Sequence, residues 1–327
     1  MAAVGCGGLG CADHRRITGG SRVADTALRL AAFGHPPDSA VAEAAAFAAA
    51  ANPGGSDRQR WLAAVALGGQ GRYAAAAVLL RRMIAGPDPV FAALAASTLA
   101  SHRRQLGGHA AAGALDSVAL GRMAASIDVV TPSDPDGVDA HGALHDSLLG
   151  LAADAIGLGR PDRARSLIAV AAQRCAVGWR GRVRLGWVMA EAHLASGEPD
   201  LAVPLAERAE QEARRVGALR HVVKSSLVWA VSLTAQGTES GQLRAVELLE
   251  DSLAISLERG FLPLAWPIAS LLVDASPAFS AQYRDLARTA VSCVFSRSDG
   301  EGRRIAAASP WMAGALRRTG EATAAEV

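Results

Sequence analysis

The stretch Leu148-Leu149-Gly150-Leu151-Ala152-Ala153-Asp154-Ala155-Ile156-Gly157-Leu158-Gly159-Arg160-Pro161-Asp162-Arg163-Ala164-Arg165-Ser166-Leu167-Ile168-Ala169-Val170-Ala171 carries the pattern that decides the fold. Apolar and small residues recur at helical spacing up to Leu158, and Gly159 interrupts them. A second apolar stripe then runs through Ala164, Leu167, Ile168 and Ala171. Two helices that cross closely need small residues at the crossing, here Ala152 and Ala164. A sharp turn between them needs a residue that tolerates positive φ, here Gly159. The same trio recurs as Ala64/Gly71/Ala76, Ala100/Gly107/Ala112, Ala190/Gly197/Ala202 and Ala230/Gly237/Ala245, the last with three extra residues after its glycine. The second alanines are spaced by 36, 52, 38 and 43 residues. Helix–turn–helix units repeating at this length predict an all-α chain, an α-solenoid of antiparallel helix pairs.

Composition agrees. Half of the 327 residues are hydrophobic, alanine is abundant, and only 4% are aromatic. That suits close-packed helices and starves a β-sheet of its preferred residues. A formal charge of +2 provides no global field for nucleic acid or an anionic membrane. The recurring arginine pairs, such as Arg81-Arg82, Arg103-Arg104 and Arg214-Arg215, fall at predicted helix C-termini, where cations favour the dipole. Lys224 is the only lysine, a skew read first as GC-rich coding. The longest uncharged apolar runs, 225–238 and 261–273, are shorter than a bilayer span. The four cysteines are too few for a disulfide framework, and no basic, apolar leader opens the chain. A reducing, cytoplasmic setting is the expectation.

Along the chain, 1–20 reads as a flexible glycine-rich tail, and 21–130 as N-terminal helical repeats. The acidic, proline-rich 131–139 reads as an inserted loop or a hinge, which explains the 52-residue spacing. Residues 140–297 read as a second run of repeats, with Asp200 to Val216 and Leu243 to Arg259 as outer helices. Pro204 is placed in a first helical turn, and Glu207, Arg208, Glu210, Glu212 and Arg214 on a solvated face. Residues 298–327 read as a tail whose cluster Ile305, Trp311, Met312 and Leu316 either caps the last pair or latches the groove.

Leu148, Leu151, Ala152, Gly159, Ala164, Ile168 and Ala171 together resemble the tetratricopeptide-repeat (TPR) family in its loose bacterial regulatory form. Met189, Ala190, Gly197, Ala202 and Ala209 match that pattern in part, and Gly71-Arg72-Tyr73 fits its turn. The resemblance covers roughly Arg58 to Gly260 and implies a right-handed superhelix whose first helices line a concave groove. Thirteen, ten and six residues before each turn glycine are the groove positions it implies. They are Arg58, Leu94, Asp146, Arg184 and Lys224; Trp61, Ser97, Leu149, Trp187 and Leu227; and Val65, Ser101, Ala153, Glu191 and Val231.

In this register Arg184, Trp187, Glu191, Arg220, His221 and Lys224 converge on the C-terminal groove as a basic, aromatic-bearing patch. Arginine pairs bidentately with carboxylates and tryptophan supplies a desolvated anchor, so an acidic peptide or partner helix fits the patch. The leading expectation is a non-catalytic interaction module, an adaptor or regulatory scaffold. The alternative is a regulatory sensor that closes on a small molecule.

Other motifs read as ordinary structure. Gly5-Cys6-Gly7-Gly8-Leu9-Gly10 has no strand before it and so makes no dinucleotide site. Cys6, Cys11 and His14 make a poor zinc set, and His141 with His145 reads as a solvated first turn rather than a metal pair. No cofactor, metal or catalytic residue is expected.

Overall fold

A computed structural model describes residues 25–34, 39–124, 133–174, 178–310 and 312. The expected N-terminal tail, its cysteines and its glycine motif, together with Cys175, Trp311 and Leu316, lie outside these residues. The described residues are helical, with no strand among them. The helices run α1 (25–33), α2 (Ser39–Ala51), α3 (Asp57–Gly69), α4 (Tyr73–Ile84), α5 (Pro89–Gln105), α6 (His109–Ala124), α7 (Ala140–Gly157) and α8 (Pro161–Arg174). There follow α9 (Trp179–Ala195), α10 (Pro199–Arg215), α11 (Leu219–Gln236), α12 (Glu239–Glu258), α13 (Leu262–Ala275), α14 (Ser280–Ser296) and α15 (Gly300–Ala308).

The turns and caps follow from local chemistry. Gly71, Gly107, Gly159, Gly197 and Gly237, the five turn glycines of the repeat, all sit at positive φ between 69° and 87°. All ten alanines of the repeated trios are buried. Ser56 and Gln59 form a reciprocal capping box at α3, and Asp88 receives the N–H groups of Val90 and Phe91 at α5.

Neighbouring helices pack in sequence, and α3, α5, α7, α9, α11 and α13 also contact one another in order. They form one continuous layer, with α4, α6, α8, α10, α12 and α14 each paired to it. This neighbour-to-neighbour arrangement is that of an α-solenoid.

The described part of the 131–139 segment is tied down. Asp136 accepts hydrogen bonds from Arg29 Nε and Nη2 at 2.6 and 2.7 Å and from Trp179 Nε1 at 2.9 Å, while Arg58 reaches Asp134 at 2.7 Å. Asp139 caps α7 through the Gly142 N–H at 2.8 Å.

The C-terminal end packs against the first repeats. Val291, Val294, Ala306 and Met312 share a core with Tyr73 and Leu106, and the Ala74 N–H donates to the Arg297 carbonyl at 2.8 Å. Arg103, fully buried, donates from both terminal nitrogens to Asp299 at 2.7 Å each. The segment read as a tail therefore contains α15, and Ile305 and Met312 pack against α5 and its neighbours rather than in the groove.

Other local readings are corrected. Helix α12 starts at Glu239, four residues before Leu243, because Thr238 supplies an N-cap. Helix α10 starts at Pro199, so Pro204 sits past its first turn. Glu210 is buried rather than solvated, although it does pair with Arg214. His145 is fully buried while His141 is exposed, so the two do not share a solvated turn.

No single helix among the described residues is long and apolar enough to cross a membrane. Helices α13 and α14 pass that test only as a pair, across a 119° bend.

Candidate functional site

The inner layer lines a partly open cavity of about 570 Å³. Arg184, Trp187 and Glu191 project into it from α9, and Arg220, His221 and Lys224 from α11. All six sequence-predicted residues are thus brought together. The shared helical spacing explains this, since three- and four-residue steps keep side chains on one face. Helices α5, α7 and α13 complete the wall with Ser101, Leu149, Ala153, Pro263, Leu264 and Trp266, among others. A smaller polar recess of about 50 Å³ shares Ser101, Gln105, Arg184, Arg220 and His221 with the main cavity and reaches Trp61, Val65, Ser97 and Asp146. Of the fifteen register positions, only Arg58, Leu94 and Val231 line neither space.

The charge pattern differs from a uniformly basic patch. Lys224 is paired with Glu191 at 3.0 Å and lies 5.9 Å from the Trp187 ring centroid. Arg184 shares Asp146 with Arg180, at 3.1 and 2.5 Å. Burial raises the Asp146 carboxyl, but the charges of Arg180 and Arg184 and the Arg180 hydrogen bond bring it below its ordinary value.

His221 adds no positive charge. It packs among Phe33, Trp179 and Trp187, with ring centroids 5.9, 4.9 and 5.4 Å away. Burial first, then Arg220, Arg180 and Arg184, push its pKa well below the ordinary histidine value. The patch thus has three cationic side chains rather than four, because an imidazole in an aromatic cluster stays neutral.

Arg220 stands apart. It has no ion-pair or hydrogen-bond partner among the described residues, and its Nε is buried. Its stem lies against Gly69, where a Cβ would stand 3.1 Å from the arginine Cδ. Burial, together with the nearby charges of Arg184 and Arg180, lowers its pKa to about 10, so it stays protonated at neutral pH.

Sequence reasoning missed the second polar wall. Arg104 donates to Asp154 at 2.7 and 2.9 Å, to Asp116 at 2.6 Å and to the Gly150 carbonyl at 3.0 Å. His109 Nδ1 lies 3.2 Å from Asp154. Burial disfavours the Arg104 charge, yet the flanking carboxylates raise its pKa above the usual value. The doublet Arg103-Arg104 signalled only a helix terminus. Its two members are instead spent on separate ion-pair networks, one toward α15 and one toward α6 and α7.

Among the described residues, no group of three or more histidine, cysteine, aspartate or glutamate side chains is arranged to hold a metal ion. The cavity offers arginine donors, a Lys224–Glu191 pair, aromatic faces and aliphatic walls. A scan against protein-family models finds no match to the chain, and a search of curated proteins finds no significant one.

Proposed function

We propose that the chain is a non-catalytic regulatory protein, a TPR-like solenoid with a right-handed superhelical path, which binds a small ligand in its concave cavity. The observation that supports this most is the wall around that space. With α13 on one side and α5 on the other, about 570 Å³ remains. That lies within the roughly 300–1,000 Å³ of small-molecule sites. About two turns of a partner helix, 10–12 Å across with side chains, would already exceed the cavity volume.

The sensor reading is therefore preferred to the peptide-binding adaptor, although the same residues, Arg184, Trp187, Arg220 and Lys224, serve both. We read the role as regulatory because a ligand bound here would touch α5, α7, α9, α11 and α13 at once. On this reading the protein works in the cytoplasm.

Native mass spectrometry of the full chain, purified from its own cell extract, tests the proposal. The expected result is a non-covalent small-molecule adduct that disappears in Ala153→Trp, where an indole projects into the cavity. Protein without an adduct, combined with saturable binding of an acidic peptide that Ala153→Trp abolishes, would return the adaptor reading.

A further inference from the structure

The lining carries seven titratable side chains, Arg104, His109, Arg184, Glu191, Arg220, His221 and Lys224. Glu191 is the only carboxylate among them and is held by Lys224. Asp116 and Asp154 behind the wall are held by Arg104, and Asp146 by Arg180 and Arg184. A cationic ligand therefore finds no free acid. The guanidinium of Arg220 has no counter-ion among the described residues. Its Nε is buried and the side chain as a whole part-buried, and a charge withdrawn from water is ordinarily paired, because desolvation without a partner is expensive. Arginine cannot escape by losing its proton. The side chain sits where the main cavity meets the polar recess, with Arg184 lining both spaces beside it.

Apart from Ser101 and Gln105, the rest of the surface is apolar. Trp187, with its Nε1 already donated to Ser225 at 2.7 Å, offers a ring face. Leu149, Leu227, Pro263, Leu264 and Trp266 supply the remaining wall. We infer that the ligand is a small organic anion with an apolar body, its anionic head on Arg220 beside Arg184 and its body against Trp187, Leu227 and Trp266. This rests on the small-ligand reading above and adds its chemical class. A guanidinium matches carboxylate, phosphate or sulfonate oxygens with two parallel donors. The ligand thus supplies the counter-ion that the protein withholds.

The test uses two probes of one shape in fluorescence titrations of the intact chain: anilinonaphthalene sulfonate and uncharged N-phenyl-1-naphthylamine. Wild type should bind the sulfonate at least about tenfold tighter than the neutral probe, the worth of one charge-assisted bidentate contact. Arg220→Met should erase that preference while neutral-probe affinity stays within about twofold, which also reports that the variant is folded. Arg220→Lys, which keeps charge but loses the fork, should fall between them. Equal wild-type binding of both probes, unchanged in Arg220→Met, overturns the anion inference and leaves the ligand cavity standing. Failure of wild type to bind either probe overturns both.

Discussion

Replacing Asp299 tests whether the C-terminal helix is fastened to the first repeats by a buried charge pair. Arg103 is 0% exposed in its side chain and Asp299 only 13%. Asp299→Ala would leave the guanidinium buried opposite a methyl group. Breaking a buried pair from one side destabilises by about 3–5 kcal/mol. An independent route gives a comparable figure. Burial alone would raise the Asp299 carboxyl, but hydrogen bonds from Arg103, the Gly302 N–H and Arg81, with the Arg103 charge, lower it from 3.8 to about 2. At 1.36 kcal/mol per unit, that shift corresponds to about 2.5 kcal/mol at neutral pH. Because the folded value lies below the unfolded one, this contribution is present above about pH 4 and lost as pH falls toward 2. Asp299 also caps α15 through the Gly302 N–H at 3.0 Å, and Asn caps equally well, so Asp299→Asn isolates the charge. Urea unfolding at pH 7.5 should show Asp299→Ala about 3–5 kcal/mol less stable and Asp299→Asn about 1 kcal/mol better than that. Arg81→Ala, whose side chain is half exposed, should lose under about 1 kcal/mol. Losses under about 1 kcal/mol in both Asp299 variants would refute the clasp as a determinant of the fold.

Four further outcomes follow from the same geometry. His145 is buried with neither ring nitrogen hydrogen-bonded, and burial, reinforced by Arg184 and Arg180 against Asp146, lowers its pKa to about 4. The unfolded chain then binds the extra proton between pH 6.5 and 4, so stability falls as pH falls, by about 2 kcal/mol at pH 5 for this group. His145→Leu should remove that part of the pH 7.5-to-5 stability difference in denaturant titrations; an unaltered difference would count against it. Gly150→Ala would drive a Cβ into the Asp116 carboxylate that Arg104 holds, and a thermal midpoint within 2–3 °C of wild type, about 1 kcal/mol or less for a domain this size, would disprove the close fit. Asp136→Asn should destabilise by about 2–3 kcal/mol by chemical unfolding, since Arg29 and Trp179 lose a charged acceptor. Arg220→Met should leave the ligand-free thermal midpoint unchanged or higher, because it removes a part-buried charge with no partner among the described residues; a large drop would make Arg220 a structural residue.

The repeat was legible because it is local. Gly71, Gly107, Gly159, Gly197 and Gly237 mark left-handed turns, and Ala64 through Ala245 mark helix crossings, all from spacing alone. The register then carried Arg184, Trp187 and Lys224 to one wall, because α9 and α11 keep a fixed phase. Partnerships across long separations were not legible. Arg103 with Asp299, Arg29 with Asp136 and Arg104 with Asp154 depend on how the whole array curves. His221 misled for the same reason. Its sequence neighbours Arg220 and Lys224 suggested a basic patch, whereas its spatial neighbours are Phe33 and Trp179.

The central claim is that the cavity between α5, α9, α11 and α13 is a binding site with Arg220 at its polar end. A crystal structure of the full chain grown with anilinonaphthalene sulfonate tests it directly. The account predicts sulfonate oxygens within about 3.2 Å of the Arg220 guanidinium and the naphthyl ring against Trp187 and Trp266. Probe bound elsewhere, with this cavity closed by the protein's own side chains and Arg220 turned to a carboxylate of the chain, would contradict it.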